Sequence, residues 1–191
     1  MKQLFVIIMV MICPLFLYAQ EKEGIYKFID YPISPITVET YNNRVFSHMD
    51  TFVRAVLMKD EEQYYYVLRV VSNDAQHLVE STFVTMISYE NLVKINKALK
   101  ILLSEEEKDW KSGEAFVENK YVTDNGFKIG YIVENGRLEW FVESEYYGTI
   151  NGLTLRDRVD EGKAFIINNG TILETTFGKA QAKIESLMQS E

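Results

Sequence analysis

Cysteine is almost missing from this chain. The single one, Cys13, lies inside an N-terminal apolar run, so the body that follows has no thiol. That excludes disulfides and thiol chemistry. Lipidation is excluded as well, because Val10-Met11-Ile12 before Cys13 are not the small residues that a lipoprotein site needs. Histidine is nearly as scarce, with only His48 and His77. A zinc site of the usual kind would need both, plus carboxylates. His48-Met49-Asp50 has a chelating spacing, but it reads more simply as a histidine at a strand entrance. Basic residues are outnumbered, 20 against 28 acidic, giving a net charge of -8. An acidic balance argues against a nucleic-acid partner or an anionic membrane surface.

Other chemistries lack their motifs. There is no Gly-x-Ser-x-Gly elbow and no calcium loop with acids at alternate positions. No Gly-rich phosphate loop is present, and Gly148-x-x-x-Gly152 lacks the following Lys and Ser/Thr. Asp157, Asp160 and Glu161 near Gly162 read as a solvated loop. Asp74, His77 and Ser81 are the residue types of a catalytic triad, but such residues populate any turn by bonding their own backbone. A hydrolase using carboxylates and His77, or a structural envelope subunit, stands as the alternative reading. No cofactor is expected.

What is present starts with the first twenty residues. Lys2 is followed by an apolar run, Leu4 to Leu17, of about fourteen residues, short of the roughly 20 that span a bilayer. Ala19 in the sequence LYAQ offers a cleavage point before the polar EKEG. We read residues 1–19 as a signal peptide. The expected mature chain is an exported protein, periplasmic or secreted, with no transmembrane segment. It has 19 basic against 28 acidic side chains, near -9. Residues 20–191 are expected to form one domain, of a length that buries a real core.

The order of elements predicts an α+β fold, an antiparallel sheet of hairpins and meanders packed against two main helices. From Glu21 to His48 the chain reads as irregular, held extended by Tyr31-Pro32 and Ser34-Pro35, with one strand over Ile36 to Tyr41. Thr51–Met58 and Tyr64–Val71 are expected to pair across a charged loop, Lys59 to Gln63. Ser81–Ile87 follows as a third strand. Ser88 looks like an N-cap. After it Leu92, Ile95, Leu99 and Leu102 form one helical stripe, with Lys94, Lys97 and Lys100 opposite. Ser104-Glu105-Glu106-Glu107 suggests that a second short helix restarts there. A last helix is expected after Thr175 or Thr176, with Phe177, Ala180, Ile184, Leu187 and Met188 inside. Asn168-Asn169-Gly170 reads as a turn.

The stretch VTDNGFKIGYIVENGRLEWFV, Val122 to Val142, is the most legible. Asn125-Gly126 and Asn135-Gly136 both read as two-residue hairpin turns, which define a three-stranded meander. The expected register puts Val122 against Ile129, Tyr131 against Trp140 and Val133 against Leu138. Phe127, Ile129, Tyr131, Val133, Leu138, Trp140 and Val142 then share one buried face. Lys128 opposite Glu143, Glu134 opposite Arg137, and Gly130 under Phe141 make the other face a solvated exterior.

The surplus of aromatics, 13% of the chain, has no such simple account. Tyr64, Tyr65 and Tyr66 are consecutive in a strand, so alternation sends at least one away from its neighbours. Tyr146 and Tyr147 sit at a strand end. Tyr65, Tyr146 and Tyr147 are the candidate binding residues, as rings for a sugar or a partner protein, with a small apolar ligand as a third option. The signal ending in LYAQ, the helix ISYENLVKINKAL and the ribbon TDNGFKIGYIVENGRLEW together resemble small exported proteins of Gram-negative bacteria. The likeness covers about Phe83 to Gly148. It rests on turns, a Gly and a Trp, and implies the fold and export but no catalytic residues. The segment Thr149 to Leu173 is longer than that likeness implies and reads as an insertion.

Overall fold

The computed structural model describes residues 26–40, 46–58, 61–74, 79–144, 148–150, 153–154, 163–167 and 169–190. They form eleven strands in one antiparallel sheet, together with two helices. The strands are β1 (Lys27–Pro32), β2 (Ile36–Thr40), β3 (Phe46–Met58), β4 (Glu61–Asp74), β5 (Val79–Ser88), β6 (Phe116–Val122), β7 (Lys128–Glu134), β8 (Arg137–Ser144), β9 (Gly148–Ile150), β10 (Leu153–Thr154) and β11 (Lys163–Ile167). The helices are α1 (Tyr89–Trp110) and α2 (Gly170–Met188). The order across the sheet is β10-β9-β5-β4-β3-β2-β11-β8-β7-β6. The expected α+β architecture is therefore what the chain adopts.

The strand expected from Ile36 forms as β2, whereas Lys27–Pro32, expected to be irregular, is a paired strand as well. β1 and β2 lie end to end along one side of β3, β1 against Phe52 to Leu57 and β2 against Phe46 to Met49. Pro32 and Pro35 bracket the joint, where a missing N–H does least harm. Thr51 holds it closed. Its carbonyl accepts from Ile33 N at 2.9 Å, and its hydroxyl donates to Ser34 O at 2.6 Å. The hairpin strands β3 and β4 run longer than their apolar cores suggest, with Met58 pairing Glu61. Glu61 to Gln63 have joined the ladder because backbone bonding does not require apolar side chains.

Both helices pack on one face of the sheet. α1 touches β6 and β7 on one side and β4 and β5 on the other, so the sheet curls round the helix pair. Ser88 caps α1, accepting from Asn91 N at 3.3 Å. Leu92, Ile95, Leu99 and Leu102 are buried as the stripe predicts. The second helix expected at Ser104 does not form. α1 runs on to Trp110, and the Ser104 hydroxyl donates back to Ile101 O at 2.7 Å. A capping-box sequence cannot start a new helix where the existing one still has a buried side to continue. α2 begins earlier than expected, capped by Asn169 and not by Thr175 or Thr176. The Asn169-Gly170 pair therefore opens a helix and does not make a hairpin turn. Thr176 instead lies inside the helix, six residues after Gly170, and donates to Ile172 O at 2.7 Å. On its inner stripe Phe177, Ala180 and Ile184 are fully buried, whereas Met188 is exposed.

The meander largely follows its expected register. Tyr131 opposes Trp140, Val133 opposes Leu138, Lys128 opposes Glu143, and Gly130 opposes Phe141. The apolar face is buried from Phe127 to Val142, with Leu138 half-buried at its rim. Asn135 and Gly136 take φ of 51° and 78°, the pair a type I′ turn needs. The first turn differs. Thr123 N donates to Phe127 O, Gly126 N donates to Thr123 O, and Gly126 alone has positive φ. That is a three-residue loop, a type I turn closed by a left-handed glycine. The extra residue shifts the register by one, so Val122 opposes Lys128 and Tyr121 takes the place beside Ile129. Val122 accordingly points outward. The outer side of the meander is also less open than expected. Phe141 and Ile166, paired across β8 and β11, are both buried there.

Candidate functional site

The face of the sheet away from the helices carries a second layer of large side chains. Alternation along β3 sends Met49, Thr51, Val53 and Ala55 inward and Asp50, Phe52, Arg54 and Val56 outward. The pairing then places Phe28, Asp30 and Pro32 of β1, Tyr65, Val67 and Arg69 of β4, and Met86 of β5 on the same outer face.

The centre of this face is an arginine–aromatic stack. The Arg54 guanidinium lies 5.3 Å from the Phe28 ring centre and 5.2 Å from that of Phe52. Arg69 lies 5.5 Å from Phe52 on its other side. Phe52 is only 6% exposed, although it faces away from the core. Each guanidinium spreads over a ring face, where the quadrupole attracts it. Each also has a carboxylate. Arg54 donates from Nε and Nη2 to the two oxygens of Asp30 at 2.7 and 2.8 Å, and Arg69 donates to Asp50 at 2.8 Å. The Arg54 fork holds the Asp30 carboxyl below its ordinary range, and Asp30 in return raises Arg54. The arginines are thereby fixed in position. Around them Phe28 remains 57% exposed and Met86 37%, with Tyr26 exposed two residues before Phe28. Tyr65, directly across from Arg54, is half-buried, and its hydroxyl donates to Gln63 at 2.7 Å. A surface of rings bordered by paired charges can stack on a sugar ring or seat an apolar side chain.

Of the residues singled out in the sequence, Tyr65 thus lies on this face. His48 is exposed on the same face, six positions from Arg54 along β3, or roughly 20 Å. Tyr146, Tyr147, His77, Asp157, Asp160 and Glu161 lie outside the described residues. Asp74 and Ser81 belong to strands β4 and β5, where Asp74 pairs with Val79 and Ser81 with Ser72. Among the described residues no three His, Cys, Asp or Glu side chains are grouped to hold a metal ion. Tyr64 and Tyr66 point inward, and Tyr66 meets Phe177 edge-on at 4.8 Å.

The acidic run Glu105 to Glu107 has a structural task that its sequence did not disclose. Glu106 and Asp109, one helical turn apart near the end of α1, reach over the meander. Glu106 accepts from Trp140 Nε1 at 2.8 Å and Asp109 from the Tyr131 hydroxyl at 2.6 Å. Asn119 completes the group, donating to Asp109 and to Tyr131. Burial, aided by Asp109, pushes the Tyr131 hydroxyl well above its ordinary range. The polar ends of Tyr131 and Trp140 are satisfied here.

Two concavities are also present. A mostly apolar cavity, lined by Thr85 and by six apolar side chains that include Met49, Phe127 and Phe165, measures about 10 Å³. That is about one water. A groove of about 370 Å³ runs between α1 and α2. Asn96 and Tyr89 of α1 donate across it to Gln181 and Glu185 of α2, and Gln181 donates to Glu185 within α2.

Comparison with protein-family profiles, with curated proteins and with solved structures finds no match to the chain. Among the described residues no helix is long and apolar enough to cross a membrane.

Proposed function

We propose that this chain is an exported, non-catalytic binding protein. It meets a protein or a glycan chain on the outer face of β1, β3, β4 and β5. The observation that supports this reading is the arginine–aromatic layer. Phe28 and Met86 stay exposed beside two arginines whose positions are already fixed by Asp30 and Asp50. Exposed rings and clamped side chains lose little freedom on binding, so more of the contact energy is retained. The apolar run and LYAQ at the N-terminus support export.

The test is a binding screen of the purified protein against arrayed glycans and peptides, repeated with Phe28→Ala and Tyr65→Ala. Both substitutions are at the surface and should leave the melting temperature within a degree or two. The expected result is a ligand class that raises the melting temperature of the wild type and binds each variant at least about tenfold more weakly, as loss of an aromatic anchor does. Equal binding by the variants would remove this face from consideration. Turnover of any arrayed compound would replace the binding reading with the hydrolase.

A further inference from the structure

β6 ends the sheet. It pairs with β7 on one side and with no second strand among the described residues on the other. The direction of its free backbone groups follows from the ladder. Thr123 N donates to Phe127 O across the strand pair at one end, and Asn135 N donates to Ala115 O at the other. Hydrogen-bonded positions alternate in an antiparallel pair. Ala115, Val117, Asn119, Tyr121 and Thr123 therefore turn their N–H and C=O towards β7. Phe116, Glu118, Lys120 and Val122 turn theirs to the open edge. The side chains of these same four residues are exposed on the outer face, Phe116 at 57% and Val122 at 47%.

The sequence of this edge is complementary to itself. Reversed about Asn119, Phe116-Val117-Glu118-Asn119-Lys120-Tyr121-Val122 sets Phe116 against Val122, Val117 against Tyr121 and Glu118 against Lys120. In this register every outward-facing backbone group meets another outward-facing group. The two exposed apolar residues cover each other, and the charges are opposite. Within one chain Lys120 and Glu118 already attract along the strand at 2.8 Å, and the pairing would exchange that contact for one across strands. The neighbouring registers that also match the backbone are centred on Glu118 or Lys120. They set Glu118 on Glu118 or Lys120 on Lys120, which like-charge repulsion disfavours. An edge strand is commonly protected by charges that repel a second copy. Here the charges select one pairing.

We propose that β6 is the interface of a two-fold homodimer, in which two copies join edge to edge about Asn119 into one continuous antiparallel sheet. A two-fold axis normal to the sheet at Asn119 makes the contact isologous and closed. It also keeps the outer faces of both copies on the same side, so the association leaves the surface of β1, β3, β4 and β5 accessible.

The experiment is sedimentation velocity and light scattering of the purified protein over a wide concentration range, with Glu118→Lys, Lys120→Glu and the double exchange. All three variants change exposed side chains, and circular dichroism checks that each is folded. The wild type is expected to dimerise with rising concentration. Each single variant places like charges opposite each other twice by symmetry and should raise the dimer dissociation constant at least about tenfold. The double variant restores opposite charges and should recover most of the affinity. Amide hydrogen exchange gives the residue-level readout, with Phe116, Glu118, Lys120 and Val122 slowing as the concentration rises. A wild type that stays monomeric throughout overturns the proposal. So does a dimer that ignores both single variants, or one that leaves those four amides fast.

Discussion

Two glycines in α2 show at the scale of the residue how local space sets the effect of one carbon atom. Gly170 is buried at the first position of α2, against the indole of Trp140, and a Cβ there would overlap that ring. Gly178 lies on the exposed side of the same helix with open space around it. Alanine favours a helix over glycine by about 1 kcal/mol at an interior position. Gly178→Ala should therefore gain up to about 1 kcal/mol in a urea melt. Gly170→Ala should lose about 1–3 kcal/mol, because the overlap forces the indole or the helix to move. Equal effects from the two would mean that the close approach of Gly170 to Trp140 is not present in solution. Neither glycine announced its role in the sequence: Gly170 follows two asparagines and reads as part of a turn, and Gly178 stands in ordinary helical surroundings.

At the scale of the element, the meander and α1 act as one unit. Trp140 is buried under the helix, stacks at a tilt on Tyr131 with ring centres 5.1 Å apart, and bonds Glu106. Trp140→Ala removes the ring, leaves a cavity and orphans the Glu106 contact. The expected cost is about 3–5 kcal/mol, read as a shift in the urea midpoint, with the variant unfolded if the total stability is no larger than that. A midpoint unchanged from wild type would mean that Trp140 is not on the buried face. The buried face itself was readable from the period of two and the turn residues. The register of the first hairpin was not. Asn125-Gly126 fits a two-residue turn and a three-residue loop with a left-handed glycine equally well, and only the neighbouring contacts choose. Buried Ile129 and exposed Val122 show which one was chosen.

At the scale of the whole molecule, the strongest pH dependence is expected on the alkaline side. Tyr66 is buried among the strands and α2, and burial raises its hydroxyl far above its ordinary value, against a smaller lowering by Thr51. Tyr131 is raised by burial and then by Asp109. An unfolded tyrosine titrates near 10. Below about pH 10 both residues keep their protons whether folded or unfolded, so their contribution is constant. Above it the unfolded chain releases protons that the folded chain retains, and stability falls by up to about 1.4 kcal/mol per pH unit for each. Urea midpoints measured from pH 8 upward should be flat and then decline beyond about pH 10. Tyr131→Phe should lessen the slope of that decline. A flat profile through pH 11 would show that these hydroxyls reach solvent.

The sequence alone determined the local geometry. Alternation and helical spacing are periodic constraints of the backbone. They marked the buried stripe of α1, the inner face of the meander and the α+β order before any contact was known. The cap at Ser88 and the turn at Asn135-Gly136 are likewise set by a few adjacent residues. The tertiary structure decided whatever depends on distant partners. It turned Lys27 to Pro32 into a strand by giving it β3 to pair with, and it carried α1 past Ser104. It set Glu106 and Asp109 over the meander aromatics, and it assembled Phe28, Phe52, Arg54, Tyr65 and Arg69 on one face from three strands. These contacts join residues far apart in the chain, and composition and spacing do not specify which distant strand will lie alongside.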